Sequence, residues 1–560
     1  MRAHWLIVPI AALLAVAPGV AEAGFVIVNT DGAGEGFNDP TPAAPVGGNP
    51  GTTVGQQRLN VFVKAGQIWD AILGSPITIV VQASFDPLPC SPSSGVLGSA
   101  GPNAVETDFS GAPFAGTWFV SAEANRIANT DLEPGVDDIV AQFQSNVGTA
   151  GCLTTRSWYY GFDGNEGANG IDLLPVLLHE FAHGLGFLTL TDESTGDYFS
   201  GEPTIFDRFL FDNTTNKHWI EMTPAERVTS SINTTHLVWD GPAVTYRSPS
   251  TLGKRAHVVA SGALTADYIS GQGVFSPPIT LGGTSGDVVL VNDGVGTASD
   301  GCNTPFVNAG AVSGKVALMD RSSTCSMAQQ ALNAQNAGAI AAIIVNNVAG
   351  PEPQLRGASP TVTIPVASLS LSDGSAMKTA MGSGTVHVTI ALDPAHLAGA
   401  DDSNRVMMFA PNPDQPGSSV SHWDVAAFPN LLMEPSINPD LTQNVDLTTG
   451  NFIDIGWFPQ LAGVSDRGQA GIAFSSSPNP ATVGGTLRFR LPETVHVDLC
   501  IYDVAGRTVA HLAHGRMTAG EHTVPWARRD DAGHRVAAGV YLARLRTGNL
   551  ERSVHIVLVD

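Results

Sequence analysis

The chain has 560 residues, a length that predicts about three folded domains at roughly 100 to 200 residues each. Hydrophobic residues make up 43% of the sequence and charged residues 14%, so the composition excludes a chain that is disordered throughout. The 51 acidic residues exceed the 27 basic ones and give a formal net charge of −24, which disfavours binding to nucleic acid or to an anionic membrane surface.

The first 23 residues have the pattern of a secretory signal peptide. Arg2 precedes an apolar run that ends at Val16, and residues 21–23 (AEA) fit the small-x-small pattern that signal peptidase cleaves. The run is about a dozen residues long, which is too short for a helix across a hydrocarbon core of about 30 Å. We therefore expect a mature chain that begins near Gly24 and is secreted, either free or associated with the cell surface.

Export permits disulfide bonds, and the chain has five cysteines. Spacing alone does not determine their pairing. Sequence neighbourhood favours Cys302 with Cys325 and Cys90 with Cys152. Cys500, in the alternating segment VHVDLCIYDV, would then remain as a buried, inert thiol.

From Gly24 to about residue 165, short β-branched segments such as FVIVN and ITIVVQASF indicate strands joined by loops. One amphipathic segment, GQQRLNVFVKAGQIWDAIL, has apolar residues at helical spacing and predicts a helix. The next segment, GANGIDLLPVLLHEFAHGLGF, is apolar on nearly every side, with Asp172 near its start and Gly184 and Gly186 near its end. We predict a buried helix there.

The pattern of predicted strands, helices and loops changes twice in the remainder of the sequence. Residues from about 253 to 397 alternate Gly-bounded strand segments with a helical segment, CSMAQQALNAQNAGA, and predict a small mixed α/β unit. Loops then return, with one apolar patch in SHWDVAAFPNLLMEPSINP. Residues from about 466 to 560 form a series of short alternating strands between Gly and Asp turns, which fits an immunoglobulin-like sandwich.

The pentapeptide HEFAH at residues 179–183 matches the H-E-x-x-H pattern. A helical turn of 3.6 residues places His179 and His183 on one face, where both imidazoles can bind one metal ion. Glu180 lies beside them, where its carboxylate can take a proton from water and deliver it to a leaving amine. Unpartnered polar groups in an apolar helix cost of order 1–3 kcal/mol each, and a metal ion would satisfy them. The pattern therefore predicts hydrolytic chemistry.

A catalytic zinc ion normally has three protein ligands, so the sequence must supply a third. In the compact metzincin pattern the third ligand is a histidine ten residues after the first, but here that position holds Thr189. A thermolysin-like arrangement would instead use Glu226, in the segment TPAERVTSSI. The other candidates are polar residues downstream of the helix: Asp192, Glu193, His218 and His236.

The segment HEFAHGLGF, followed far downstream by SHWDVAAFPNLLMEP, resembles the leishmanolysin family of metzincins. In that family an insertion separates the glycine turn from the third histidine, and a Met-containing turn follows shortly afterwards. The resemblance implies roles for five residues, namely the zinc ligands His179, His183 and His422, the general acid/base Glu180 and the Met-turn residue Met433. Gly186, soon after the second histidine, is the expected helix-ending turn that lets the backbone turn toward a third ligand.

An inserted domain must then lie between the second and third histidines. The segment GKVALMDRSSTCSMAQQALNAQNAGAIAAIIVNN resembles the protease-associated (PA) domain, a non-catalytic module inserted in several peptidase families. The segments IYDVAGRTVAHL and DDAGHRVAAGVYLARL resemble the immunoglobulin-like domain of flagellar hook-capping proteins and the C-terminal sorting domains of bacterial secreted proteins. This second resemblance implies a bacterial source and contact with the cell surface or the secretion machinery.

The expected fold class is therefore multidomain α+β. A metzincin-like catalytic domain is interrupted by an α/β domain of the PA type and followed by an all-β immunoglobulin-like sandwich. The expected boundaries are 1–23 for the signal peptide, 24–252 and 398–461 for the two parts of the catalytic domain, 253–397 for the inserted domain and 466–560 for the sandwich.

The expected function is that of a secreted zinc-dependent endopeptidase with one zinc ion, acting on proteins or peptides and not on nucleic acid. No motif indicates calcium, and the Asp/Asn-rich loops leave calcium binding open. The alternative is a catalytically inactive, surface-displayed binding or adhesion protein on a peptidase scaffold; the retained Glu180 favours the enzyme. Trp158, Tyr159 and Tyr160 either line a substrate cleft or pack within the sheet, and packing is the more frequent role of such residues.

Overall fold

The computed structural model describes residues 24–458, apart from 356–358, 360, 439, 440 and 442, together with 474–477, 484–491, 494–503, 507–537, 539–547 and 550–558. The signal-peptide prediction for residues 1–23 lies outside the described residues. Internal contacts divide the chain into one unit of residues 1–458 and another of residues 459–560. None of the described helices is both long enough and apolar enough to cross a membrane.

The part of the first unit before residue 253 contains eleven strands and five α-helices among its described residues. The strands are β1 (Phe25–Asn29), β2 (Ile79–Asp86), β3 (Gly98–Pro102), β4 (Val105–Glu106), β5 (Phe119–Val120), β6 (Ile139–Gln144), β7 (Ser157–Tyr159), β8 (Gly170–Asp172), β9 (Leu210–Asp212), β10 (Lys217–His218) and β11 (Leu237–Trp239). The helices are α1 (Val54–Leu73), α2 (Ser121–Ala128), α3 (Leu173–Gly184), α4 (Pro224–Ser231) and α5 (Pro242–Thr251).

A four-stranded sheet of order β1-β2-β6-β3 underlies helix α3. Its first three strands are parallel, and β3 is an antiparallel edge strand in which Ala100 pairs with Ala141. Helices α1 and α3 pack together over this sheet, and the indole N–H of Trp69 donates a hydrogen bond of 3.2 Å to the carbonyl of Leu178. The predicted amphipathic helix is confirmed as α1, which buries one face against α3.

Helix α3 is the buried helix that the sequence predicts. Asp172 caps its N-terminus, because Oδ1 accepts a hydrogen bond of 3.0 Å from the N–H of Leu174. All of its residues are buried except His183, which is partly buried. Gly186 follows the helix with φ 114°, a conformation that favours glycine, and a Cβ there would lie 3.0 Å from Ile455 Cδ1.

The mixed α/β unit is a closed barrel of order β12-β13-β17-β16-β15-β14-β18. Its strands are β12 (Lys254–Gly262), β13 (Ala266–Gln272), β14 (Thr284–Leu290), β15 (Val316–Asp320), β16 (Ala341–Val345), β17 (Val366–Leu369) and β18 (Val386–Leu397). Its helices are α6 (Ala309–Val312), α7 (Met327–Asn336) and α8 (Leu371–Met381). The first and last strands pair, with Lys254 opposite Leu397, so the barrel leaves and re-enters the rest of the unit at one place.

After the barrel the chain returns to the first part of the unit. Strand β19 (Val406–Met407) joins a sheet of order β10-β9-β11-β19, in which Val238 pairs with Met407. Helix α9 (Thr448–Ile455) then packs against α5. Most of the described residues between these two elements lie in turns and irregular segments.

The second unit contains two antiparallel sheets among its described residues, of order β20-β21-β24 and β23-β22-β25-β26. The strands are β20 (Phe474–Ser477), β21 (Gly485–Leu491), β22 (Val495–Asp503), β23 (Thr508–Met517), β24 (Gly520–Trp526), β25 (Gly539–Thr547) and β26 (Leu550–Leu558). Leu487, Leu499 and Ile556 belong to the buried cluster shared by the two sheets. The predicted sandwich is confirmed.

Both predicted disulfide bonds are confirmed. Cys90 bonds to Cys152, and Cys302 bonds to Cys325 within the barrel. Cys500 is a buried free thiol in the central strand β22, as the sequence predicts.

Candidate metal centre

Three histidine side chains converge on one point in the first unit. The Nε2 atoms of His179 and His183 lie 3.2 Å apart, those of His183 and His422 3.3 Å apart, and those of His179 and His422 3.2 Å apart. The described residues contain no other group of three or more His, Cys, Asp or Glu side chains close enough to hold a metal ion. The structure therefore brings together the three residues that the resemblance to the leishmanolysin family assigns to zinc.

The opposite ring nitrogens of the three histidines all face backbone carbonyl groups. Nδ1 lies 2.7 Å from the oxygen of Leu432 in His179 and 2.8 Å from the oxygen of Phe187 in His183. In His422 it lies 2.7 Å from the oxygen of Ser418. A carbonyl oxygen only accepts hydrogen bonds, so each Nδ1 carries the proton and each Nε2 presents a lone pair.

The arrangement of these lone pairs fits a zinc ion. Burial lowers the pKa of His179 to about 4 and that of His183 to about 3, and burial with the two neighbouring rings holds the pKa of His422 well below its usual value. All three rings are therefore neutral near pH 7, and their lone pairs repel one another unless a cation lies between them. Tetrahedral ligands about 2.0–2.1 Å from zinc lie about 3.3 Å apart, which agrees with the observed spacing of 3.2–3.3 Å.

A tight backbone loop presents the third histidine. The N–H of Phe409 donates to the carbonyl of His422 at 2.8 Å, and the N–H of Val420 donates back to the carbonyl of Phe409 at 2.7 Å. The N–H of Thr189 donates to the hydroxyl of Ser421 at 3.1 Å. The chain after α3 thus runs beside the residues next to His422. Thr189 contacts them through its backbone N–H.

The Met433 segment is linked to two of the three histidines. The carbonyl of Leu432 holds His179, and the carbonyl of Met433 accepts a hydrogen bond of 2.8 Å from the N–H of Trp423, the residue after His422. The side chain of Met433 is fully buried. These contacts hold the segment next to His179 and to the chain at His422, and the role of Met433 as a Met-turn stays a prediction.

Glu180 lies beside the histidines and against the edge strand β3. Its Oε2 accepts a hydrogen bond of 2.9 Å from the N–H of Ala100, and burial raises its pKa to about 8 against the lowering effect of that bond. A Cβ on Gly98 would lie 2.8 Å from the ring of Phe143 and 3.1 Å from Glu180 Cγ, so only glycine lets the strand approach this closely. Sequence reasoning missed β3 because its residues, GSAGP, carry no strand pattern.

The alternative third ligands have other partners. Glu226 forms an ion pair of 2.5 Å with Lys217 and caps helix α4. His218 lies 2.9 Å from Asp240, and His236 lies 2.8 Å from Asn213. None of these residues belongs to the histidine cluster.

The acidic residues after α3 are also outside the cluster. Asp192 accepts hydrogen bonds from Ser194 and Thr195 in a surface turn. Burial raises the pKa of Glu193 to about 7, with smaller contributions from neighbouring carboxylates.

The aromatic triplet before α3 makes packing and hydrogen-bond contacts. The indole of Trp158 donates to the carbonyl of Gln144 at 2.8 Å, and the hydroxyl of Tyr160 accepts from Arg58 at 3.0 Å. Tyr159 hydrogen-bonds to Asp163. Trp158 and Tyr160 also pack against the buried core, which corresponds to the packing role for these two residues.

Comparison with protein families identifies two modules in the chain. The PA domain family matches residues 284–377, and the FlgD Ig-like domain family matches residues 477–549. The chain therefore contains a PA domain within the barrel and a FlgD-type immunoglobulin-like domain near its end. No curated protein matches the chain.

Several solved structures have limited similarity to the chain. A zinc aminopeptidase from Bacillus subtilis is 20% identical over 27% of this chain and 36% of its own, with a TM-score of 0.20. A peptidase M28 precursor from Shewanella amazonensis is 19% identical over 25% and 34%, with a TM-score of 0.21. PorZ, a surface component of the type-IX secretion system of Porphyromonas gingivalis, is 21% identical over 16% and 11%, with a TM-score of 0.13. The chain spans about a third of the length of the two peptidases.

Proposed function

We propose that this protein is a secreted zinc-dependent endopeptidase of the leishmanolysin type. The observation that carries the proposal is the convergence of three Nε2 lone pairs at 3.2–3.3 Å, with the Glu180 carboxylate next to them in the chain. His179, His183 and His422 would hold one zinc ion and leave a fourth position open. Zinc in such a site lowers the pKa of water and polarises the carbonyl of the scissile peptide.

Glu180 would transfer the proton in this reaction. Its carboxylate takes a proton from the attacking water and delivers it to the leaving amine. A pKa near the working pH suits both steps, and burial raises the pKa of Glu180 to about 8. The hydrogen bond from Ala100 fixes the carboxylate orientation without occupying its second oxygen.

The edge strand β3 is the part of the site that would receive a substrate. It pairs with β6 on one side only, and its residue Ala100 contacts the proposed proton carrier. An extended peptide that added to this edge would gain hydrogen bonds from the outward backbone groups other than the N–H of Ala100, which Glu180 occupies, and would lie beside Glu180. Binding through backbone groups favours cleavage within polypeptides, which is why we propose an endopeptidase.

The proposed domains follow the predicted boundaries. Residues 24–252 and 398–461 would form the catalytic domain with Gly186 and Met433 in its two turns, 253–397 the inserted PA domain and 466–560 the C-terminal domain. Two disulfide bonds suit an oxidising compartment, and a FlgD-type domain suits contact with a cell surface or a secretion apparatus.

Casein hydrolysis by the purified protein, with and without a chelator, tests the proposal. We expect cleavage that the chelator abolishes and that added zinc restores, with one zinc ion per chain. A folded protein that holds one zinc ion and cleaves no protein substrate would instead favour the inactive binding or adhesion protein.

A further inference from the structure

A cavity of about 480 Å³ lies between the barrel and the rest of the first unit. Its walls include the barrel residues Arg255 and Glu352. They also include Asp401, which follows the last barrel strand, and the later residues Phe428 and Asn430. Ligand pockets have volumes of roughly 300–1,000 Å³ and occur preferentially at domain interfaces. The cavity therefore has the size and position of a ligand site, and it is separate from the histidine cluster.

The arginines of the cavity are neutralised by carboxylates of the protein. Arg405 forms an ion pair of 2.7 Å with Asp401, and Arg255 forms one of 3.1 Å with Asp393. Asp402, another carboxylate of the cavity wall, lies 3.3 Å from His396 and is largely exposed. Each guanidinium group therefore has a carboxylate partner, although Nε of Arg255 is buried without a hydrogen-bond partner among the described residues.

Glu352 differs from these residues, because no side chain of the described part of the chain forms a hydrogen bond or ion pair with its carboxylate. The pKa of Glu352 is raised to about 7, chiefly by burial and less by the nearby carboxylates of Asp424 and Asp373, against the lowering effects of its own backbone N–H and of Arg255. A partly desolvated carboxylate with further carboxylates nearby gains from an added cation. Among the described residues, Glu352 thus lacks a positively charged partner at ion-pair distance, while both arginines of the cavity are paired with other carboxylates.

The apolar walls of the cavity favour a cation with an apolar stem over a metal ion. Apolar side chains line it beside Glu352, including Ile269, Leu355, Met407 and Phe428. A metal ion gains nothing from such walls, and the described residues form no further group of three potential ligands there. Lysine and arginine side chains carry a charge on a long apolar stem, which matches both the carboxylate and the apolar walls.

We propose that this cavity binds a lysine or arginine side chain of the polypeptide substrate, with Glu352 as the counter-charge. That the polypeptide is a substrate rests on the proposed function, whereas recognition of the basic side chain does not. The carbonyl of Phe428 accepts a hydrogen bond of 2.7 Å from Gly253, and Asn430 lies two residues before Leu432, whose carbonyl holds His179. A side chain in the cavity would therefore contact the loop that orients a proposed zinc ligand.

Direct binding of capped tripeptides to the full chain tests this site. The probes are N-acetyl-Ala-Arg-Ala-amide and the same peptide with citrulline, which has nearly the shape of arginine without its charge. Titration at pH 8 keeps Glu352 ionised, and a Glu180→Gln background prevents cleavage. Because binding is measured without turnover, the result does not depend on whether the protein is a peptidase.

We expect the arginine peptide to bind at least tenfold more tightly than the citrulline peptide. Glu352→Gln should remove this difference, whereas Asp402→Asn, a neighbouring carboxylate in the same cavity, should retain it. Glu352→Lys should bind the corresponding glutamate peptide instead, which tests the site with a second variant. Equal affinity for the two peptides, or a preference for arginine that survives Glu352→Gln, would overturn the proposal. Loss of casein cleavage with this preference intact would contradict only the proposed function.

Discussion

The carbonyl oxygen of Leu432 lies 2.7 Å from Nδ1 of His179, although the two residues are 253 positions apart in the chain. This contact orients the first histidine of the HEFAH motif, and it comes from the segment that also contains Met433. The N–H of Leu432 is itself held by Asp446 at 2.6 Å. The histidine cluster therefore depends on chain segments on both sides of the inserted barrel.

Glu180→Gln should abolish peptidase activity while zinc remains bound. Glutamine keeps an oxygen that accepts the hydrogen bond from Ala100, so the local structure is preserved, but it cannot take up a proton. General acid–base catalysis contributes about 10²–10⁴-fold, and a loss of that order or greater is expected. Casein hydrolysis and metal content of the same preparation are the measurements. Loss of zinc together with activity would show that Glu180 has a structural role.

His422→Ala should lower zinc affinity by more than about 100-fold, because loss of a hydrogen-bonding partner of a ligand alone costs about 10–100-fold. Glu226→Ala is the matched control, since Glu226 is paired with Lys217 and should leave the metal content unchanged. Competition with a chromogenic chelator measures both affinities. If Glu226→Ala removed the metal and His422→Ala did not, the thermolysin-like alternative would be correct.

Replacement of residues 254–397 by a short Gly/Ser linker should leave one zinc ion bound. The N–H of Ala398 donates to the carbonyl of Gly253 at 2.9 Å, so the two ends of the insertion are already adjacent and a few residues can join them. The cavity of about 480 Å³ loses its barrel wall in this variant, so selectivity for basic peptides should disappear. Metal content and the tripeptide titration measure the two effects separately. A folded variant without zinc would show that the barrel is needed to position His422.

The sequence predicts a structural feature correctly where one continuous segment contains the whole pattern for it. Helix α3 follows from its continuous apolar residues and the Asp172 cap, and the Cys302–Cys325 bond follows from two cysteines in one unit. His422 was found through its sequence context, SHWDVAAFPNLLMEP, and not through its distance from His183. These features are local, so a pattern can encode them.

The features that sequence reasoning missed depend on contacts between distant segments. Strand β3 consists of residues with low strand propensity, and its pairing with β6 and its contact with Glu180 are made largely by backbone groups. Helix α8 was not predicted because its apolar residues do not follow one face, and Gly374 in it packs where a Cβ would lie 2.1 Å from Val345. The cavity around Glu352 has walls from segments more than 100 residues apart, which no local pattern can indicate.

Glu123 in helix α2 supplies a further test of the fold, away from the proposed chemistry. Its side chain is fully buried, and neither carboxylate oxygen has a hydrogen-bond partner among the described residues. A Cβ on Gly186 would lie 3.4 Å from its Oε2, so the carboxyl group lies against the turn that follows α3. Burial holds the pKa of Glu123 well above its usual value of 4.5.

Because the pKa of Glu123 is raised in the folded state, the stability of the fold depends on pH. Ionisation costs the folded state more than the unfolded state, so Glu123 does not destabilise the fold at pH values below about 4.5. It destabilises the fold increasingly as pH rises from there toward the folded-state pKa.

Glu123→Gln stays neutral at every pH. Its melting temperature should therefore exceed that of the parent chain by about 2 °C or more at pH 8, and the difference should fall toward zero at pH 4. Glu202→Gln, at an exposed carboxylate, is the control and should show no such trend. A difference between Glu123→Gln and the parent chain that is constant from pH 4 to pH 8 would show that Glu123 ionises at its ordinary pKa and has a partner that compensates its charge.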